Sequence, residues 1–274
     1  MASKEECEMI TKSQAEGILQ SHLDRLKSQA GDMLRSVVLV GSLASGSFTG
    51  DSGSDLDLVH ILRDDAPEGS RERVLKLIAQ TELETEKCLP ISRCVYRFSQ
   101  LKRPYPEVHA LCLENKDLIE LPIELLRMKD IGRTVLGADV LEEVDMPRRE
   151  DVVRSLKCSA AWVRAESTRG FRPIPDEQLP IRLIVQSVLV RALLDYYFAT
   201  GKSCSDKSQV ASLLRRDVAG YALQELTELC TKWRYEPEAF SADDEAWLLA
   251  LWPQWRIART GRDVDHVPIL AEAE

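Results

Sequence analysis

Nothing in this 274-residue sequence resembles a membrane span, since no apolar run approaches the roughly 20 residues that one needs. The opening MASKEECEMITKSQ has no apolar stretch of the signal-peptide kind, so a cytoplasmic location is expected. Cysteine pairs at C-x-x-C spacing are missing. The seven cysteines, Cys7, Cys88, Cys94, Cys112, Cys158, Cys204 and Cys230, are scattered and odd in number, which removes zinc and redox motifs and leaves reduced, mostly buried thiols. Basic residues are in deficit, 36 against 45 acidic, for a formal net charge of −9. That balance argues against a protein that coats nucleic acid, because phosphate contacts need clustered Lys and Arg. There is no internal repeat and no low-complexity segment.

What is present is an ordinary globular composition, 44% hydrophobic and 30% charged, over a length that suits two domains. Ile10, Ile18, Leu19, Leu23 and Leu26 recur at helical spacing over residues 5–29, and SVVLVG then reads as a buried β-branched strand. DLDLVHIL reads as a second strand. PEGSRERVLKLIAQTELETEK predicts a helix with Ser70 at its N-cap and Val74, Leu75, Leu77 and Ile78 turned inward. ISRCVYRFS and EVHALCLE predict two more strands, separated by a segment that Pro104 and Pro106 keep irregular. From about residue 117 the pattern turns helical, including DLIELPIELLRMKDIGRTVLG. The expected fold class is therefore α+β, with an α/β domain over 1–140 and an all-helical bundle over 141–274. IRLIVQSVLVRALLDYYFATG is the most apolar helix, with Gly201 as its C-cap and Tyr196, Tyr197 and Phe198 as core.

The chemistry concentrates in VVLVGSLASGSFTGDSGSDLDLVHIL, residues 37–62. Its GSLASG lacks the G-K-[ST] ending of a P-loop and the G-x-G-x-x-G spacing of a dinucleotide fold. GDSG at 50–53 resembles the nucleophile turn of trypsin-like proteases, but a helical second half and unpaired cysteines do not suit that double barrel. Asp51, Gly53 and Asp55 lack the glycine and closing glutamate of a calcium loop. What remains is a strand, a Gly-Ser turn, a polar loop, and D-x-D on the next strand. Period two puts Asp55 and Asp57 on one face and Leu56 and Leu58 on the other. Two carboxylates so close repel unless a cation sits between them, and magnesium is the natural tenant, bound through carboxylates and substrate phosphates. Backbone N–H groups at Gly41-Ser42 are placed to meet those phosphates.

GSLASGSFTGDSGSDLDLV is similar to the G-S and [S/D]-D-x-D signature of polymerase-β-like nucleotidyltransferases. YPEVHALCLENKDL, ELPIELLRMKDIGRTVLGADVLEEV and YYFATGKSCSDKSQVASLL resemble the corresponding parts of aminoglycoside (streptomycin/spectinomycin) adenylyltransferases. The resemblance implies a nucleotidyltransferase fold with a small mixed sheet and flanking helices ahead of the helical bundle. It implies that Gly41, Ser42 and Ser54 line the nucleotide phosphates and that Asp55 and Asp57 bind Mg2+. Lys207, with Lys202 in reserve, and Arg191 are implied to reach the triphosphate from the second domain, although Arg191 also matches an i,i+4 pair with Asp195. The implied reaction moves AMP from ATP to a hydroxyl of a small, cationic acceptor, an aminoglycoside or aminocyclitol, and releases pyrophosphate, which is antibiotic-resistance chemistry. Glu166 and Asp195 are the acids offered to such an acceptor. The partners are then nucleotide and acceptor, with no nucleic acid and no membrane, for a monomer or homodimer.

The family's third carboxylate has no counterpart on ISRCVYRFS, where Ser92 and Arg93 stand instead. Glu86, Glu107 and Glu114 are the substitutes, and Glu114 is preferred. Two other readings stay open: an antitoxin-type or protein-AMPylating nucleotidyltransferase, and a catalytically weak nucleotide-binding module.

Overall fold

The computed structural model of the chain describes residues 10–50, 54–85, 89–106, 116–155, 181–248 and 250. The chain divides into two compact units. One takes residues up to Glu107 together with Ile123–Pro147, the other Val108–Pro122 with Arg148–Glu274.

The first unit opens with α1 (Lys12–Ala30), started by Thr11, whose side chain accepts from the Gln14 N–H while the Gln14 side chain accepts from the Thr11 N–H. That reciprocal box satisfies two of the amides that a helix start leaves over. Its inward face is Ala15, Leu19, Leu23 and Leu26, and α3 (Ser70–Glu84) packs beside it through Val74, Leu77 and Ile78. Ser70 is not the cap expected of it. Gly69 holds that place, and the Ser70 hydroxyl donates to the Pro67 carbonyl at 2.7 Å.

Four strands form one mixed sheet in the order β3-β2-β1-β4. β1 (Leu34–Leu39) and β2 (Leu58–Leu62) run antiparallel with Val38 opposite Val59; β2 and β3 (Cys94–Arg97) run parallel with Val59 opposite Cys94. All five residues of β2 are buried, as a central strand's continuous apolar run requires. β4 (Arg133–Gly137) closes the other edge, antiparallel to β1. This strand corrects the expectation of a helix running to Gly137. The helix α4 (Lys116–Ile131), which contributes Ile123–Ile131 to this unit, ends where the Gly132 N–H returns to the Met128 carbonyl at 3.0 Å. Thr134 and Val135, both β-branched, then suit an edge strand. The strand expected at 107–114 lies outside the described residues.

The second unit is helical where it is described. Val185, Val188, Leu189, Ala192 and Tyr196 on α5 (Ile181–Thr200) make a core with Val210 and Leu214 on α6 (Val210–Asp217) and Leu226 and Cys230 on α7 (Gln224–Tyr235). Tyr196 and Tyr197 are buried, as core aromatics should be. α5 ends as read from the sequence: Gly201 has φ 70° and its N–H bonds the Tyr197 carbonyl at 2.8 Å. Among the described residues no helix is long and apolar enough to cross a membrane.

Candidate active site

The end of β1 and the approach to β2 meet at one place. The Val40 N–H donates to the Asp57 carbonyl at 2.9 Å, and the next residue, Gly41, starts the short helix α2 (Gly41–Ser45) at φ 72°. Glycine is needed there twice over. The positive φ disfavours any side chain, and a Cβ would collide with the Asp57 carboxylate, lying 2.7 Å from its Cγ. The Gly-Ser turn is thereby seated directly on one of the two acids.

Asp55 and Asp57 precede β2 instead of lying on it, and they flank Leu56, which bridges in parallel to Ile91. The alternation expected of them holds: Leu56 and Leu58 are fully buried, while Asp55 is exposed and Asp57 partly so. Ser54, just ahead, is buried. Ser42 lies part-buried in α2, with its carbonyl accepting from the Ser45 hydroxyl at 3.2 Å.

A cation does sit against Asp57, and it is one that sequence reasoning missed. Arg127 of α4 places Nη2 at 2.9 Å from Asp57 Oδ2, and its Nη1 lies 2.9 and 3.1 Å from the two carboxylate oxygens of Glu124. One guanidinium thus joins two acids, at side-chain exposures of 28% for Arg127, 18% for Asp57 and 12% for Glu124. Burial alone would lower the guanidinium's pKa; the charges of Glu124 and Asp57 outweigh it and raise that pKa further. Arg127 stays charged at any working pH. The i,i+3 spacing of Glu124 and Arg127 was a visible signal for their pairing, but nothing in the sequence tied them to Asp57.

No acid stands on β3, the strand on which the resemblance led one to expect a third carboxylate. The Ser92 hydroxyl is bound into the neighbouring chain segment, donating to the Leu58 carbonyl at 2.6 Å and accepting from the Leu58 N–H at 2.7 Å. Arg93 pairs with Glu82 at 3.0 Å, and Glu82 also accepts from the Ile91 N–H. Both residues are structural. Glu86, Glu107 and Glu114 lie outside the described residues, as does Glu166.

The donor set fits magnesium. Asp55 and Asp57 supply hard carboxylate oxygens at i and i+2, while no cluster of three or more His, Cys, Asp or Glu side chains suited to a metal exists among the described residues. A magnesium ion there would complete its shell from water and from a nucleotide's phosphates, its usual habit.

In the second unit Lys207 donates to Gln186 Oε1 at 3.1 Å, and Arg234 reaches the same oxygen at 3.3 Å. Two cations thus converge on one amide oxygen, and among the described residues the buried Arg234 Nε has no hydrogen-bond partner. Lys202 is exposed. Arg191 makes the within-helix pair that its spacing allowed, 2.7 Å to Asp195. Asp195 is buried and also accepts from the Tyr221 hydroxyl at 2.9 Å. Burial first, then the charge of Asp195, push the Tyr221 hydroxyl's pKa well above its ordinary value.

Residues 19–117 match the family model of the nucleotidyltransferase domain. Seven solved chains match the structure. One is a spectinomycin adenyltransferase, AAD(9), from Enterococcus faecialis, solved with ATP and spectinomycin; it is 15% identical, with a TM-score of 0.53 over 90% of this chain and 100% of that one. No curated protein matches the sequence significantly.

Proposed function

We propose that this chain, a nucleotidyltransferase by its matched domain and its fold, is an adenylyltransferase that moves AMP from ATP to a hydroxyl of a small acceptor. The observation that carries the reading is the seating of the Gly41 turn on the Asp57 carboxylate. That closeness supports the reading, because the backbone assigned to the phosphates and the acid assigned to the metal would be needed side by side.

The acceptor hydroxyl attacks the α-phosphorus in line. A new P–O bond forms there, the bond to pyrophosphate breaks, and pyrophosphate leaves with the electron pair. Gly41 and Ser42 present backbone N–H groups to the phosphates, with Ser54 beside them, and no bulky side chain intervenes at position 41. Asp55 and Asp57 would hold magnesium, which would supply positive charge against the negative charge developing on the phosphate oxygens. The acceptor's proton passes to a carboxylate, for which Glu114 is the assigned residue; such a base is worth about 100- to 10,000-fold in rate. Lys207 and Arg191 are assigned to the triphosphate on the resemblance of YYFATGKSCSDKSQVASLL to the helical part of the adenylyltransferases. An aminoglycoside or aminocyclitol is the acceptor class, supported by the spectinomycin bound to AAD(9).

Incubation with ATP, Mg2+ and a panel of aminoglycosides and aminocyclitols tests this, read by mass spectrometry for an AMP adduct and by pyrophosphate release. Adduct with one acceptor class, lost in Asp57→Asn, is the expected result. ATP binding without any adduct or pyrophosphate would leave a nucleotide-binding module.

A further inference from the structure

Gln186, Lys207 and Arg234 come from three separate parts of the second unit: α5, the connection over 201–209, and the last turn of α7. They meet at Gln186 Oε1, which lies 3.1 Å from Lys207 Nζ and 3.3 Å from Arg234 Nη1. Lysine and arginine only donate, so the amide turns its oxygen to them, and both of that oxygen's lone pairs are taken. The other cations of these helices are held by acids, Arg191 by Asp195, Arg215 by Glu228 and Lys232 by Asp244. Arg234 differs from them, because among the described residues no carboxylate pairs with it and its buried Nε has no acceptor.

We propose that Arg234 is an oxyanion-binding residue which, beside Lys207, takes the outer phosphates of the nucleotide. Its Nη1 is spent on Gln186. The Nε–H and the neighbouring Nη2 then form the lateral fork of the guanidinium, the edge that a phosphate group matches bidentately. A buried donor without an acceptor costs the fold stability, and a phosphate oxygen entering here would satisfy it. Gln186 suits such a site for a further reason. Its neutral amide brings two cations together without cancelling either charge, which a carboxylate at the same position would do. Two phosphates in a row offer one oxygen to the point charge of Lys207 and a pair to the Arg234 fork. Arg191, by contrast, already has its guanidinium on a buried acid. The choice of nucleotide as the anion rests on the proposed reaction; the oxyanion fork itself does not.

Inorganic pyrophosphate in the presence of EDTA is the probe, because without metal it reports cationic side chains and not Asp55 and Asp57. Calorimetric titration of the full chain should show pyrophosphate binding to wild type and a loss of about ten- to hundredfold in Arg234→Gln, the range of a charge-assisted contact. Arg215→Gln removes the same charge from an exposed cation that Glu228 already holds, and should leave the affinity within about twofold. Gln186→Glu gives both cations a carboxylate of nearly the same shape. It should weaken pyrophosphate about tenfold or more while raising the urea unfolding midpoint, and it carries the test should Arg234→Gln fail to fold. No pyrophosphate binding in wild type, an affinity unchanged in Arg234→Gln or Gln186→Glu, or an equal loss in Arg215→Gln, overturns the inference. Pyrophosphate binding lost in Arg234→Gln with no acceptor adenylylated sinks the proposed reaction and leaves the oxyanion site standing. Adenylyl transfer whose KM for ATP is the same in Arg234→Gln as in wild type leaves the reaction standing and removes Arg234 from it.

Discussion

Acid should destabilise the first unit well above the pH at which carboxylates protonate, because two histidines are locked neutral in its core. His22 on α1 and His60 on β2 are both fully buried, with Nε2 facing Nε2 at 3.1 Å. His60 Nδ1 lies 3.2 Å from the Cys94 carbonyl, which can only accept, so the proton is on Nδ1 and Nε2 accepts from His22. His22 Nδ1 lies 3.0 Å from the Thr81 hydroxyl, which receives Arg25 Nη1 at 2.9 Å and reaches the Leu77 carbonyl at 3.0 Å. An extra proton on His60 would break the contact between the rings; on His22 it would set a buried cation beside Arg25. Burial, with the charges of His60 and Arg25, accordingly lowers His22 from 6.5 to about 3, and burial, against the bond to Cys94, lowers His60 to about 4. The folded state binds fewer protons than the unfolded chain, so stability is full above pH 6.5 and falls as pH drops toward 4 and 3. At pH 5 linkage gives a loss of about 2 kcal/mol for each histidine, about 4 kcal/mol together. Urea unfolding at pH 8 and pH 5 measures it in a window where ordinary carboxylates contribute little. His60→Gln keeps a donor for Cys94 and should remove about half of the pH dependence. A midpoint that does not move between pH 8 and pH 5 would refute the buried neutral pair, and a dependence that survives in the His22→Gln, His60→Gln double variant would assign it to His109 and His266.

Gly41→Ala should cost about 1–3 kcal/mol, from the positive φ and the collision with Asp57, and should weaken ATP binding more than it weakens folding; thermal melts with and without ATP and Mg2+ separate the two. Asp55→Asn should leave stability within about 0.5 kcal/mol of wild type, whereas Asp57→Asn should cost about 1–2 kcal/mol by releasing Arg127 to Glu124 alone, and both should lose magnesium-dependent ATP binding in calorimetric titrations. Lys207→Ala should weaken ATP about ten- to hundredfold and AMP much less, since only ATP carries the outer phosphates that its charge would meet; equal losses for the two nucleotides would return Lys207 to its bond with Gln186.

Local patterns in the sequence carried the first unit nearly as far as β3. Leu19, Leu23 and Leu26 reach the core because helical period alone puts them on one face, and Leu56 and Leu58 are buried for the same reason at period two. β4 escaped because the apolar periodicity of ELPIELLRMKDI runs straight up to it; the break was the single Gly132, with only five residues of strand beyond. Ser70 was read as a cap from residue type, but the preceding Gly69 takes the left-handed conformation that the chain needs to enter α3.

The candidate site divides along the same physical line. Gly41, Asp55 and Asp57 were legible because their chemistry is compressed into 17 consecutive residues, where spacing stands in for distance. Arg127 was not, since its partner Asp57 lies 70 residues earlier and an arginine three places from a glutamate reads as a solvated helix face. The sequence argument had nevertheless posed the right question in asking what cation relieves two adjacent carboxylates. A guanidinium answers it without metal, and this changes what Asp57→Asn means: the substitution removes an ion-pair partner as well as a repulsive charge, so loss of ATP binding in that variant counts toward the site only when its folding is measured alongside.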